Sequence, residues 1–222
     1  MDRRASNSLT RFCPSYILCV QWAIKEGYGG ALLNQPDLVR EMVRQTKEAS
    51  GLPCSIKIRI DPKNLEHTVE LARRAERVGV EWVTVHGRTI HQASTEAVNF
   101  EAVKLVKENL HVPVFGNGSC FSMSDVEDWK VKTGVDGVMA ARGLLANPAL
   151  FAGFEQTPSE CVRDFVDIVM EVGGITTRCF HQHIAMMLFN TLGREEKAEF
   201  QVLKSMPATL EWLEERGLLR GG

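Results

Sequence analysis

Four polar clusters interrupt apolar segments of this chain: Lys57 with Arg59, His86-Gly87-Arg88, Gly116-Asn117-Gly118 and Ala141-Arg142-Gly143. Their chemistry is of one kind. Lysine and arginine attract phosphate, and the arginine fork can bind it through two parallel hydrogen bonds. Glycine lets a ligand approach the backbone. An asparagine amide offers a heterocycle both a donor and an acceptor. Together the four clusters suit a phosphate-bearing cofactor or substrate. Each alone also has an ordinary structural reading. A lone histidine is commonly structural or exposed, a Gly-Asn-Gly run is a common turn, and a strand lysine commonly faces solvent. The weight lies in four successive clusters at equivalent places.

Those places are the ends of expected strands. Residues 54–60 alternate Ile56, Ile58 and Ile60 with polar residues, a period of two. Residues 80–87, 112–118 and 135–143 are the next three strands. Helices are expected over 38–46, 65–79, 100–110 and 122–134, the last capped by Ser122 or Ser124. Strands alternating with helices imply βαβ units and a parallel sheet, whose carboxyl ends all face one way. Function collects at that edge. After Pro148 the pattern changes to helices alone, over 158–172, 178–192, 194–204 and 207–216. On a helix, His181 and His183 point apart, so they are read as packing or surface residues and not as metal ligands.

The 222 residues, 44% hydrophobic and 24% charged, are enough for one sizeable core or for a domain with an appendage. A net charge of -2 gives no sign of nucleic-acid binding, although a local basic face would suffice for it. The six cysteines are scattered and lack metal-ligand spacing, so no metal site and no disulfide framework are expected. No apolar run is long enough to span a membrane. A signal peptide is read against, because Gln21 and Trp22 interrupt the early apolar patch. The expected setting is reducing and intracellular: cytoplasmic, or nuclear.

The segments "WAIKEGYGGALL", "SIKIRI", "VTVHGRT", "VFGNGS" and "DGVMAARGLLANPALF", in this order, resemble the tRNA-dihydrouridine synthases, with wording nearest the eukaryotic class acting at D-loop positions 20a and 20b. The resemblance runs from about Trp22 to near the C-terminus. It implies a TIM barrel with FMN at its top, followed by a helical domain that grips tRNA. It implies hydride transfer from reduced FMN to a flipped-out uridine. NADPH or NADH would reload the flavin, and a cysteine on a loop would donate the proton. Carried over by motif, Lys57 and His86 are FMN contacts. Asn117, Gly118 and Ser119 lie in the segment near the FMN phosphate, and Ala141 and Arg142 in a second phosphate-binding segment. Ser119 stands where the family often has an acidic residue, a change that spares a role for its backbone.

Two departures qualify the resemblance. The family's barrel has eight strands, whereas this sequence offers four, or five with "YILCV" (16–20). The family's catalytic cysteine lies in an N-x-G-C-P motif. Here Cys19 lies near the right distance but without that lead, and Cys13-Pro14 lies further upstream. Cys19 is the expected proton donor. The expected organisation is an atypical segment 1–20, as an alternative first exon or a mis-set start would produce, a partial FMN-binding (β/α) barrel over 21–150, and a helical tRNA-binding domain over 151–222. An incomplete barrel would expose unpaired strand edges and favour instability or a partner. The activity expected is FMN-dependent, NAD(P)H-driven reduction of a tRNA uridine. The alternatives are a catalytically silent truncated isoform that only binds RNA, and another FMN-binding TIM-barrel oxidoreductase.

Overall fold

The computed structural model describes residues 15–17 and 26–219; Cys13 and Cys19 lie outside them. The chain is α/β. Among the described residues, five parallel strands stand in sequence order: β1 (Ser15–Ile17), β2 (Ser55–Arg59), β3 (Trp82–His86), β4 (Val114–Asn117) and β5 (Gly137–Met139). Helices α1 (Pro36–Ser50), α2 (Leu65–Arg77), α3 (Phe100–Glu108) and α4 (Met123–Thr133) connect β2 to β5 and precede β2. The chain divides into two compact units, one of residues 1–118 with 127–139, the other of 119–126 with 140–222.

The first unit's core follows from the period-two strands and the apolar stripes of its helices. Ile56, Ile58, Val83, Val85 and Val114 are fully buried on one face of the sheet. Val69, Ala72 and Ala75 of α2 and Ala102, Val103 and Val106 of α3 belong to the same cluster. β-Branched side chains fit a parallel sheet covered by helices. Helices α2, α3 and α4 start where a side chain can satisfy a free N–H. Asn64 accepts from the Glu66 amide at 2.9 Å, Asn99 from Ala102 at 2.9 Å, and Ser122 from Asp125 at 3.1 Å. The last of these makes Ser122, and not Ser124, the cap of α4.

Carboxylates tie the turns before the strands. One oxygen of Glu76 accepts the His111 and Val112 amides at 2.6 and 2.9 Å. Burial pushes the Glu76 carboxyl up, but these N–H donors outweigh burial and hold it below its ordinary value of 4.5. A carboxyl with a lower pKa folded than unfolded stabilises the fold above the unfolded value, and that contribution is lost as pH falls through the folded value. Stability is therefore expected to hold from neutral pH down to about pH 5 and to fall below about pH 4. Denaturant titrations at both ends check this. A Glu76→Gln variant should be less stable at neutral pH and lose less on acidification. An equal loss in both proteins would remove Glu76 from the account.

The second unit holds the short helix α5 (Arg142–Ala146) and helices α6 (Ser159–Val172), α7 (Thr177–Met187), α8 (Arg194–Gln201) and α9 (Met206–Glu215). Its own core contains Val162, Val166, Phe180, Ile184, Phe200 and Leu213. His181 stacks on Phe200, and His183 stacks on Phe165, so both histidines are packing residues. Several boundaries differ from expectation: α1, expected over 38–46, runs Pro36–Ser50, and α8, expected over 194–204, ends at Gln201. The strand expected over 135–143 ends at Met139, and Arg142 opens a helix. Alanine-rich sequence after Met139 favours helix once the chain leaves the sheet. The helix expected over 178–192 ends at Met187, followed by tight turns in which Phe189 and Thr191 donate to Met186 and Leu188.

Candidate functional site

Strand register sets the site in the first unit. Arg59 lies beside His86, His86 beside Asn117, and Asn117 beside Met139. This row closes the carboxyl edge of the sheet. One pleat below runs the row Lys57, Thr84, Phe115, Gly137. Both rows use the face opposite the buried isoleucines and valines, because successive side chains alternate. The fold therefore brings Lys57, His86, Asn117 and Gly118 to one edge. Lys57 and His86 are half-buried there.

The clusters divide by role. Asn117 donates from its side-chain amide to the Met139 carbonyl at 2.6 Å and is itself buried. It holds β5 to β4. Arg59 donates to the Thr89 carbonyl at 2.6 Å, which pins the loop after β3. Arg88 has no access to a solvent-borne anion. It is 1% exposed, and its Nε donates to the Glu96 carbonyl at 2.6 Å. Its Nη1 lies 3.3 Å from His86 Nε2. A guanidinium can only donate. In that contact Nε2 accepts, and the proton of the neutral imidazole is placed on Nδ1. Arg88 thus sets the tautomer and orientation of His86.

The turn after β4 is the most constrained backbone at this edge. Gly118 has φ 127°. A Cβ there would stand 3.1 to 3.2 Å from Val98, Arg88 Nη1 and His86 Cδ2, so only glycine fits both the angle and the space. Trp129 secures the turn from beneath, donating from Nε1 to the Gly118 carbonyl at 3.0 Å. Its ring lies against Gly116, where any Cβ would run into it. Sequence reasoning missed Trp129. The available signal was a large aromatic on α4 opposite a glycine in a strand, a pairing that marks close approach.

Ser119, Ala141 and Arg142 belong to the second unit. Ser119 is the one non-glycine residue with positive φ among those described, at 46°. Backbone strain of this kind concentrates at ligand sites. The Arg142 guanidinium lies over the Phe121 ring, 5.2 Å from its centre. Cys120 beside this turn is buried. Burial, and then the Asp125 charge, push its thiol up to about 11, so it stays protonated at neutral pH and is no nucleophile. Cys19 lies outside the described residues. Among those described, no group of histidine, cysteine and acidic residues could hold a metal ion, and no helix is long and apolar enough to cross a membrane.

A family model described as dihydrouridine synthase matches residues 13–216. The chain is 46% identical over 197 residues to human "tRNA-dihydrouridine(20a/20b) synthase [NAD(P)+]-like", covering 87% of this chain and 61% of that protein. It is 40% identical over 195 residues to the Saccharomyces cerevisiae tRNA-dihydrouridine(20a/20b) synthase, covering 85% and 53%. Against Pasteurella multocida tRNA-dihydrouridine synthase B it is 34% identical over 128 residues, covering 57% and 39%. The chain thus spans less than two thirds of the length of these relatives. Its parallel sheet and many helices are consistent with a TIM-barrel-like domain of this kind. By the extent of the family match and the level of identity, the chain belongs to the dihydrouridine synthase family.

Proposed function

We propose that this chain acts in FMN-dependent, NAD(P)H-driven reduction of a D-loop uridine in tRNA to 5,6-dihydrouridine. The observation that carries this reading is the edge formed by Lys57, His86, Asn117 and Gly118 in a chain of this family. The relatives' names, which specify tRNA and NAD(P)+, favour it over a small-molecule oxidoreductase and over a silent RNA binder. On this reading the first unit is the carboxyl portion of a (β/α) barrel within 21–150, and 151–222 form a helical tRNA-binding domain, in a cytoplasmic protein.

The residues present fit a phosphorylated flavin. Gly118 keeps the turn beside His86 free of a side chain, and Lys57 and His86 are half-buried polar groups on the same face. FMN, when bound, would supply the hydride. Lys57 would supply positive charge to it, a common way for a protein to tune a flavin. His86, whose Nε2 lies against Arg88, would be a polar contact for it. Asn117 holds the floor by joining β4 to β5. Ser119, Ala141 and Arg142 are assigned to the FMN phosphate by their motifs, and Cys19 to proton donation.

The test is flavin uptake. Purified chain incubated with FMN and desalted should keep the flavin absorbance bands, and His86→Ala should weaken retention roughly tenfold, as loss of one well-placed polar contact does. Folded protein that retains no FMN would overturn the reading. Dihydrouridine formed in tRNA on addition of NADPH or NADH would complete it.

A further inference from the structure

Two hollows of the first unit contain none of the residues assigned to the flavin. The smaller has a volume of about 170 Å³, and Gly30, Asp61, Lys63, Ile90 and His91 are on its walls. The larger, about 300 Å³, is lined by Pro36, His67, Glu70 and Arg74, and the two adjoin at Leu33 and Asn34. The smaller stands at the carboxyl edge of the sheet, since Asp61 follows β2 and Ile90 and His91 follow β3. The larger lies in the helix layer, between the start of α1 at Pro36 and α2. Asp61 is the buried polar group of the smaller hollow. Its Oδ1 accepts the Lys63 and Asn64 amides at 2.7 and 2.9 Å. Its Oδ2 stands 3.7 Å from His67 Nδ1, longer than a hydrogen bond. Burial pushes the carboxyl up, but those amides and then His67 outweigh burial and hold it below its ordinary value of 3.8. The group is therefore ionised at neutral pH and can only accept.

We propose that these hollows bind the adenosine half of the nicotinamide dinucleotide, with Asp61 accepting from the ribose 2′-hydroxyl, so that the chain prefers NADH to NADPH. The identity of the dinucleotide rests on the proposed NAD(P)H-driven activity. The walls select the occupant. A buried, ionised acceptor repels an anion and is costly to cover with an apolar group. A single carboxylate beside a lysine does not suit a metal cation, which needs several oxygens. A neutral ring bearing hydroxyl donors does suit it, and a carboxylate on a ribose 2′-hydroxyl is a recurrent means of holding NAD. The smaller hollow has the size of one sugar ring, with Leu33 and Ile90 as its apolar sides. Lys63, exposed, brings positive charge to the rim for the diphosphate. The larger hollow has room for the base. Pro36 and Leu33 offer it apolar faces, and the Asn34 amide offers a donor and an acceptor. Glu70, the carboxylate on that wall, is held by Arg74 at 2.7 Å. Placement decides which half is bound. Helix α2 packs on the face of the buried isoleucines, whereas Lys57 and His86 use the opposite face. The nicotinamide must meet the flavin on that opposite face, so the base in the helix layer is the adenine. In NADPH a 2′-phosphate replaces the hydroxyl and would meet the ionised carboxylate.

The experiment is calorimetric titration of the flavin-free chain with NADH and with NADPH. The parent should bind NADH roughly tenfold more tightly than NADPH. Asp61→Asn should weaken NADH binding roughly tenfold, as loss of one charged acceptor does, and remove the preference. That variant keeps an oxygen for the Lys63 and Asn64 amides, so its unfolding midpoint should match the parent's. Asn34→Ala, at an exposed position, should weaken both dinucleotides about fivefold and spares the fold. NADH binding that is absent, or indifferent to either replacement, overturns the proposal. A parent that binds NADPH as tightly as NADH overturns it as well. FMN retention, measured on the same proteins, should be unaffected, because neither residue belongs to the flavin edge. A chain that holds no FMN but binds NADH through Asp61 refutes the cofactor assignment and supports the hollows. A chain that holds FMN and binds NADH without regard to Asp61 leaves the flavin reading standing and overturns this one.

Discussion

Trp129→Ala is expected to lower stability by about 3–5 kcal/mol, the range for deleting a large buried aromatic. Trp129 is 1% exposed. Its ring meets Phe100 edge-on, with centroids 4.7 Å apart, and covers the bare backbone of Gly116. Truncation opens a void beside a glycine that has no side chain with which to fill it, so relaxation recovers little. It also strands the Gly118 carbonyl, which accepts the indole N–H. Denaturant unfolding of the purified chain reads the loss. Trp129→Phe separates the two contributions. It keeps most of the packing and removes one hydrogen bond, so its cost should be nearer 1–2 kcal/mol. It should still weaken FMN retention, because the Gly118 turn is then held only by its neighbours. A loss below about 1 kcal/mol for Trp129→Ala would show that the turn carries itself.

Phe180→Ala should cost the second unit a similar amount, about 3–5 kcal/mol. Phe180 is fully buried and stacks on Phe165 with centroids 5.8 Å apart. With Ile184 and Met187 it forms the buried stripe of α7. Phe180→Ala should therefore depress stability, whereas the exposed Phe189→Ala should change it by no more than about 0.5 kcal/mol. That contrast, read by denaturant unfolding, distinguishes a core residue from an exposed one. Equal stability losses would mean that Phe189 is part of the core.

Much of this was legible beforehand because it depends on local chemistry. Alternation of Ile56 and Ile58 with Lys57 and Arg59 specified both a strand and its faces. Ser122 and Ser124 announced the start of α4, and Ser122 is its cap. The recurrence of polar clusters at strand ends located the edge where Lys57 and His86 now stand. The five motifs carried the family resemblance that the comparisons support. Local reading failed where two states compete closely. Met139-Ala140-Ala141 is compatible with strand or helix, and hydrogen bonding to β4 decided where the strand ended.

The sequence by itself determined the α/β order, the carboxyl edge and the family, since periodicity, caps and motifs are recorded residue by residue. Only the tertiary structure decided what each polar side chain faces. Arg88 read as a cation open to an anion, yet it is buried against Glu96 and His86. Asn117 read as a group for a heterocycle, yet its amide joins two strands. Trp129 lies eleven residues from the carbonyl it holds. A hydrogen bond or a ring contact is a relation between elements. Its partner is set by strand register and helix packing, which no single segment of the chain encodes.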